Sequence, residues 1–388
     1  MSVRVAVGVS DDFDAVSAFD EAAARAVEGL DGADCDLCLV FAGAPHLAHG
    51  DGILAVVHGQ LSPRVLLGCG AGGVVGGGRE IEEGTGAVVW ALAAPEATIE
   101  PLALTTAPVE DGIALSGLPE DSADYGEAML VLADPNTFSA DALLMHLNEA
   151  RPAMPVLGGL ASAATQGSAS LFLNGQVVDS GAVACALSGI ELLPCVSQGA
   201  APVGPEMTVT EVDGNLIAEL ASKPAVERLR EAISELEPAE RELAAEGLLL
   251  GVVIDENQPD YERGDFLVRP IVGVDPESGA LAFADRVRVG QTVRLHVRDA
   301  TSAAEDLDEA LAARVEALGP GGAAGTLLFT CNGRGAHMFA EPDHDATALD
   351  QAFGAPTGGF FCAGEIGPVG GRNFLHGFTA TMAVFPHQ

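Results

Sequence analysis

Apolar positions along the chain fall into short runs separated by helix-length amphipathic stretches, and the order of these runs repeats. Val3 to Val9 reads as a strand. Ser10 is placed to cap a following helix that runs to about Val27, with Asp11 and Asp12 in its first turn. One pattern then occurs three times: an apolar strand ending in small or polar residues, a helical stretch, a second strand running into glycines, a turn-rich polar stretch, and a third strand. The first copy uses Leu37 to Phe41, Val65 to Gly70 and Gly86 to Leu92. The second uses Met129 to Pro135, a helix capped by Ser139, Val156 to Ser162 and Gly181 to Leu187. The third uses Leu327 to Cys331, Gly359 to Glu365 and Thr379 to Phe385. Copies one and three also share a Gly-Gly-Arg signature, at Gly77-Gly78-Arg79 and Gly370-Gly371-Arg372. The spacing is too irregular for a solenoid and predicts duplication of one strand-helix-strand-strand module.

Residues 68–78, GCGAGGVVGGG, contain Gly68-x-Gly70-x-x-Gly73, the spacing of a dinucleotide fingerprint. That reading needs a helix after the glycines to meet a pyrophosphate, whereas Thr85 to Trp90 reads as a strand. The repeat places these glycines in the same slot as Gly158 to Ser162 and Ala363 to Gly371, at strand ends and turns where glycine permits positive φ and close backbone approach.

Between copies two and three the character changes. Lys223-Pro224 opens a helix through about Leu236, with Pro at its first position. Gly247 to Ile254, Asp265 to Val274 and Gln291 to Arg298 read as strands, and Thr301-Ser302 as the cap of a helix that ends at Gly319. The Pro- and Gly-containing stretch Ala201 to Gly214 marks the boundary, giving domains of residues 1–212 and 213–388.

Composition narrows the function classes. The 388 residues carry 56 acidic and 18 basic side chains, a net charge of −38, and Lys223 is the one lysine. Such a chain repels phosphate backbones and anionic membranes, so nucleic acid and membrane are excluded as partners. A carboxylate-covered, lysine-poor surface is the expectation for a host rich in salt. Apolar runs are too short to span a bilayer and Met1 to Val5 has no signal-peptide pattern, which points to the cytoplasm. The seven cysteines are scattered and odd in number, against a disulfide framework. Cys35-Asp36-Leu37-Cys38 merges into a strand and has no second pair to complete a zinc site. No cofactor or metal is expected, and His46 reads as a loop histidine.

The third copy holds the densest polar set. Cys331, Asn332 and Arg334 follow a strand directly, Glu365 follows the neighbouring strand, and Arg372, Asn373 and His376 lie beyond the next turn. Pairing the two strands brings Cys331, Arg334 and Glu365 together. A thiol nucleophile at Cys331 would use His337 or His376 as base with Glu365 as orienter. Against it stands a buried cysteine beside an Arg334–Glu365 salt bridge that ties down turns.

These residues carry a family resemblance. The string Thr326 to Arg334 (TLLFTCNGR), with Gly358 to Phe385, resembles the C-terminal half of FIST-domain proteins and their Cys-x-Gly-Arg-Gly and Gly-Glu-Ile-Gly motifs. Gly68-Cys69-Gly70, Pro155 to Gly159, Ser197-Gln198-Gly199 and Arg298-Asp299-Ala300 are similar to further family segments, so the likeness covers nearly the whole chain. It implies FIST N- and C-terminal domains and a role similar to sensory domains of prokaryotic signal transduction that bind small molecules such as amino acids. The family also occurs in a eukaryotic F-box ubiquitin-ligase subunit. No kinase, methyl-accepting or cyclase output segment is recognisable, so a stand-alone sensor with a separate signalling partner is expected. The resulting expectation is an α/β protein of two related halves, with mixed sheets flanked by helices. Its ligand is a small polar metabolite: Arg334 and Arg372 would take a carboxylate, Glu365 or Asp299 an ammonium, and Gly68 and Gly70 would lend backbone N–H groups. Two alternatives are an enzyme with Cys331 or Cys362 as nucleophile and a ligand-free interaction scaffold.

Overall fold

The computed structural model describes residues 3–110, 112–165 and 168–387, and shows an α/β chain of mixed sheets flanked by helices. Contacts divide it into two compact units: Met1–Val196 with Asp308–Leu375 and Ala380–Gln388, and Ser197–Leu307 with His376–Thr379.

The first unit contains all three modules, and each builds the same sheet core. Strands Leu37–Gly43 and Val65–Ala71 are parallel, and Ala87–Ala93 returns antiparallel to the first of them. Strands Ala128–Ala133, Val156–Leu160 and Ala182–Ser188 repeat this arrangement. So do Ala323–Cys331, Thr357–Cys362 and Thr379–Pro386. The helical crossover between parallel strands is what a parallel pair demands, because a tight turn cannot join them.

The turn-rich stretch of each module is itself a hairpin, and it leaves its own sheet. The hairpin Val74–Gly76 with Arg79–Ile81 of module one adds to the third sheet, on strand Thr357–Cys362. The hairpin Glu365–Val369 with Arg372–His376 of module three adds to the second sheet, on Val156–Leu160. The hairpin Leu171–Leu173 with Gln176–Val178 of module two adds to the first sheet, on Val65–Ala71. This cyclic exchange gives the unit an internal three-fold relation. One bond is made three times: Gly70 N–H to Ser170 O at 2.8 Å, Leu160 N–H to Gly364 O at 2.8 Å, and Phe361 N–H to Gly73 O at 2.9 Å.

The glycine slots now acquire a cause. A Cβ at Gly68, Gly158 or Gly359 would lie 2.3, 1.8 or 1.8 Å from the carbonyl oxygen of the paired Val40, Val131 or Leu328. The strand glycine of the third copy is thus Gly359, which precedes the Ala363 to Gly371 segment, and that segment matches the turn half of the first slot, Gly73 to Gly78. Gly-Gly-Arg is a hairpin turn in both copies, with φ of +59° and +72° at Gly77 and Gly78 and +57° and +76° at Gly370 and Gly371. Positive φ at both central residues is what tight hairpins of right-twisted strands require.

The inner faces of the three sheets share one apolar core, where Phe41 stacks on Phe360 at 4.9 Å and the Trp90 indole donates to Thr326 O at 3.0 Å. Helices cover the outer faces. Ala15–Leu30 and Gly50–Leu61 pack on the first sheet, and Ala140–Ala150 on the second. The first of these helices is capped by Asp14, not Ser10: the Asp14 carboxylate accepts from Ser17 N–H at 2.9 Å, while Ser10 Oγ donates to Glu21. A carboxylate cap also meets the positive end of the helix dipole, which a hydroxyl does not.

The second unit is antiparallel. Strands Ala200–Asp213, Thr292–Arg298, Leu248–Val253, Phe266–Val274, Leu281–Phe283 and Leu216–Leu220 pair in that order, and the last pairs back to the first, closing a barrel. Pro224 stands at the N-cap of helix Ala225–Glu235 and not inside it. Among the described residues no helix is long and apolar enough to cross a membrane.

Candidate functional site

The site grows from the turn that ends strand Ala323–Cys331. Arg334 N–H bonds back to Cys331 O at 2.9 Å, Gly333 N–H points to Cys331 Sγ at 3.4 Å, and Asn332 N–H reaches Cys362 O on the parallel neighbour. Gly335 follows with φ of +69°, and a Cβ there would sit 2.5 Å from the Glu82 carboxylate. The conformation and the contact both call for glycine. This folding back turns Arg334 inward, where it is wholly buried.

A buried guanidinium needs a partner, and Asp345 supplies it. Arg334 Nε and Nη2 donate to the two Asp345 oxygens, each at 2.8 Å, in a bidentate pair. Asp345 also accepts from Thr330 Oγ1 at 2.8 Å and bonds His344 Nδ1 at 2.9 Å. Burial pushes the Asp345 carboxyl up, yet Arg334, His344 and Thr330 together hold it well below the usual carboxylate range. Burial likewise opposes the charged guanidinium, and Asp345, aided by Cys331 and Glu365, raises its pKa above the ordinary value. The Phe339 ring lies 5.1 Å from the guanidinium and stacks on His344 at 3.5 Å. Arg334 Nη1 is buried and, among the described residues, makes no hydrogen bond.

The hairpin received from module one closes another side. Glu80 Oε1 accepts from Ala346 N–H at 2.9 Å in the first turn of helix His344–Phe353, and Glu80 N–H donates to Asp343 at 2.6 Å. Glu82 accepts from Ala336 N–H at 2.8 Å. Burial, then Asp345, Glu82 and Asp343, pushes the Glu80 carboxyl up to about 7, against the pull of the Ala346 amide.

The residues singled out in the sequence do not all gather at this turn. Cys331, Arg334 and Glu365 interact electrostatically, and Asn332 lies exposed on the same turn. Cys362, beside Glu365, Cys69 and Cys331, is wholly buried, and burial first and those neighbours next push its thiol well up. Arg372 is exposed on the second sheet's hairpin with its guanidinium 5.9 Å from the Phe374 ring. Asn373 is a fastener: its Nδ2 donates to Met154 O at 2.8 Å and Asn148 Oδ1 at 3.1 Å, and its Oδ1 accepts from Val156 N–H. Gly68 and Gly70 are buried strand residues, and the Gly70 N–H is taken by Ser170 O. Asp299 and buried His376 belong to the second unit, where Asp299 accepts from Ser302 N–H and so caps helix Ala300–Leu318. The cap is therefore Asp299, in place of Thr301-Ser302.

Asp345, Glu80, Glu82, His344 and Phe339 were not singled out in the sequence. Asp343-His344-Asp345 at a helix start was a local signal, since acidic residues gather in first turns. Glu80 and Glu82 had none, because hairpin exchange brings them from 263 and 254 positions away.

A three-module sheet assembly with a buried arginine turn, joined to an antiparallel barrel, defines the class of protein. The FIST N domain model matches residues 36–223 and the FIST C domain model residues 225–368, so the chain belongs to the FIST family, which is associated with signal-transduction sensing. It is similar to an uncharacterized protein of Mycobacterium tuberculosis strain H37Rv, 40% identical over 99% of this chain and 100% of that protein. It is also similar to an uncharacterized protein of Mycobacterium bovis, 40% identical over 99% of each chain.

Proposed function

We propose that the chain is a sensory protein that binds a small polar metabolite bearing a carboxylate, such as an amino acid, at the Cys331–Gly335 turn. One observation carries the reading: Arg334 is wholly buried and held charged, with Nη1 left without a hydrogen-bond acceptor among the described residues. A buried charged donor without an acceptor is costly, and a ligand carboxylate would supply one. Exposed Asn332 marks the approach, and Glu365, within electrostatic reach of Arg334, suits a ligand ammonium. In the cysteine-enzyme alternative Cys362 is disfavoured as nucleophile, since the thiolate is the reactive form and burial suppresses it.

The test is a thermal-shift screen in molar salt with amino acids, organic acids and nucleotides, on wild type and Arg334→Lys. Lysine keeps a cation opposite Asp345 but loses the fork. At a hundredfold excess over Kd, a binding ligand adds about 2.7 kcal/mol to stability, and the variant should lose that gain while keeping its circular dichroism. No hit across the panel sinks the reading in favour of the scaffold, and a hit confined to nucleotides contradicts the carboxylate assignment.

A further inference from the structure

Helix Ala300–Leu318, from Asp308 onward, and helix His344–Phe353 both belong to the first unit and leave a cleft of 660 Å³ between them. The helices over the first sheet close on each other through a shared apolar cluster. Here each helix instead turns one face to the opening. On one side Asp308, Ala312 and Val315 follow i, i+4, i+7 spacing, and on the other His344, Ala348 and Gln351 follow i, i+4, i+7. Buried Leu311 gives the cleft an apolar floor, and Val315, 40% exposed, adds apolar lining with Ala352 and Pro342.

The rim is acidic. Asp308 and Glu341 line the cleft, Glu309, Glu316 and Asp350 are exposed on the same helices, and among the described residues no lysine or arginine lines it. The cation on the longer helix, Arg314, is committed to the Pro194 carbonyl. We infer that this cleft is the docking groove for an amphipathic helix of a separate protein, with small aliphatic residues on its buried face and lysine or arginine along its flanks. The periodic faces and apolar floor match helix-in-groove recognition, and the rim charge selects the partner's sign. A second copy of this chain would bring like charge, since each carries −38.

The groove also adjoins the proposed sensor site. His344 lines it, and the same ring bonds Asp345, which holds Arg334. A helix seated against His344 therefore bears on the residue that positions the arginine. Docking itself requires no ligand at Arg334.

The experiment is a display selection of 18-residue amphipathic helical peptides, with flanks varied among Lys, Glu and Gln, on wild type at 0.2 M salt. Counter-selection uses Ala348→Trp, which fills the cleft. Selected peptides are then measured by fluorescence anisotropy on wild type, Ala348→Trp and Glu341→Lys, all checked by circular dichroism. The expected result is enrichment of basic-flanked peptides with a roughly tenfold or greater loss of affinity in Ala348→Trp, as for a filled hot-spot pocket. A smaller loss is expected in Glu341→Lys. Three results overturn the proposal: no enrichment, acidic-flanked peptides binding equally well, or sedimentation showing a wild-type dimer that Ala348→Trp disrupts.

Discussion

Glu80 is where pH enters the structure. Its folded pKa of about 7 lies above the usual 4.5, so the protonated form is favoured in the native state. That contribution is complete below the unfolded pKa and is lost as pH rises through about 7. Glu80→Gln should flatten the fall of stability between pH 5 and 8.5, leaving the variant about 1 to 3 kcal/mol better off than wild type at the upper end, with partial exposure discounted. Denaturant midpoints measured across that range check it, and parallel curves for the two proteins would contradict it. Asp345 behaves oppositely, because its pKa is held low by Arg334. Asp345→Asn leaves a buried guanidinium without its counter-charge and should cost about 3 to 5 kcal/mol at neutral pH. An effect below about 1 kcal/mol would show that water reaches the pair. At this scale Arg334 was legible because it stands in a motif after a strand. Its true partner was not, since the sequence offered Glu365 as the nearer candidate and only side-chain packing chooses between carboxylates.

Among the elements, repetition was legible and connectivity was not. Strand and helix periodicity is local, so the three modules could be read from apolar runs and turn residues. The hairpins between second and third strands could also be suspected from Gly77-Gly78 and Gly370-Gly371. Which sheet each hairpin joins is set by non-local pairing, about which periodicity is silent. The two kinds of glycine separate cleanly in their predicted cost. Gly359→Ala drives a methyl into the Leu328 carbonyl, where a Cβ would stand at 1.8 Å, and should lose about 2 to 4 kcal/mol. Gly370→Ala meets nothing within 4 Å and carries only the left-handed backbone penalty, about 1 to 2 kcal/mol. Chemical denaturation ranks them, and equal costs would refute the tight strand pairing. Asn373→Ala should loosen the exchanged hairpin from the second sheet, seen as faster amide exchange over residues 365–376 than over residues 323–331. Unchanged exchange would remove its role as fastener.

For the molecule as a whole, charge decides the conditions under which the rest can be tested. With a net charge of −38 and one lysine, self-repulsion opposes the folded state until counter-ions screen it. The unfolding midpoint should therefore rise between 0.05 M and molar potassium chloride. A midpoint indifferent to salt would dissolve the argument for a salt-rich host. The exchange of hairpins also links the three sheets of the first unit, so none of them is complete without a strand pair from another module. The proposed sensor depends, however, on a ligand at buried Arg334. The most direct measurement is nitrogen-15 spectroscopy of the arginine side chains in molar salt, with Arg334 assigned through Arg334→Lys, during titration with the best amino acid or organic acid of the screen. A saturable shift of the Arg334 guanidinium resonances, at the concentration that produces the thermal stabilisation, is the predicted result. Stabilisation without movement of those resonances would place the ligand elsewhere and contradict the assignment.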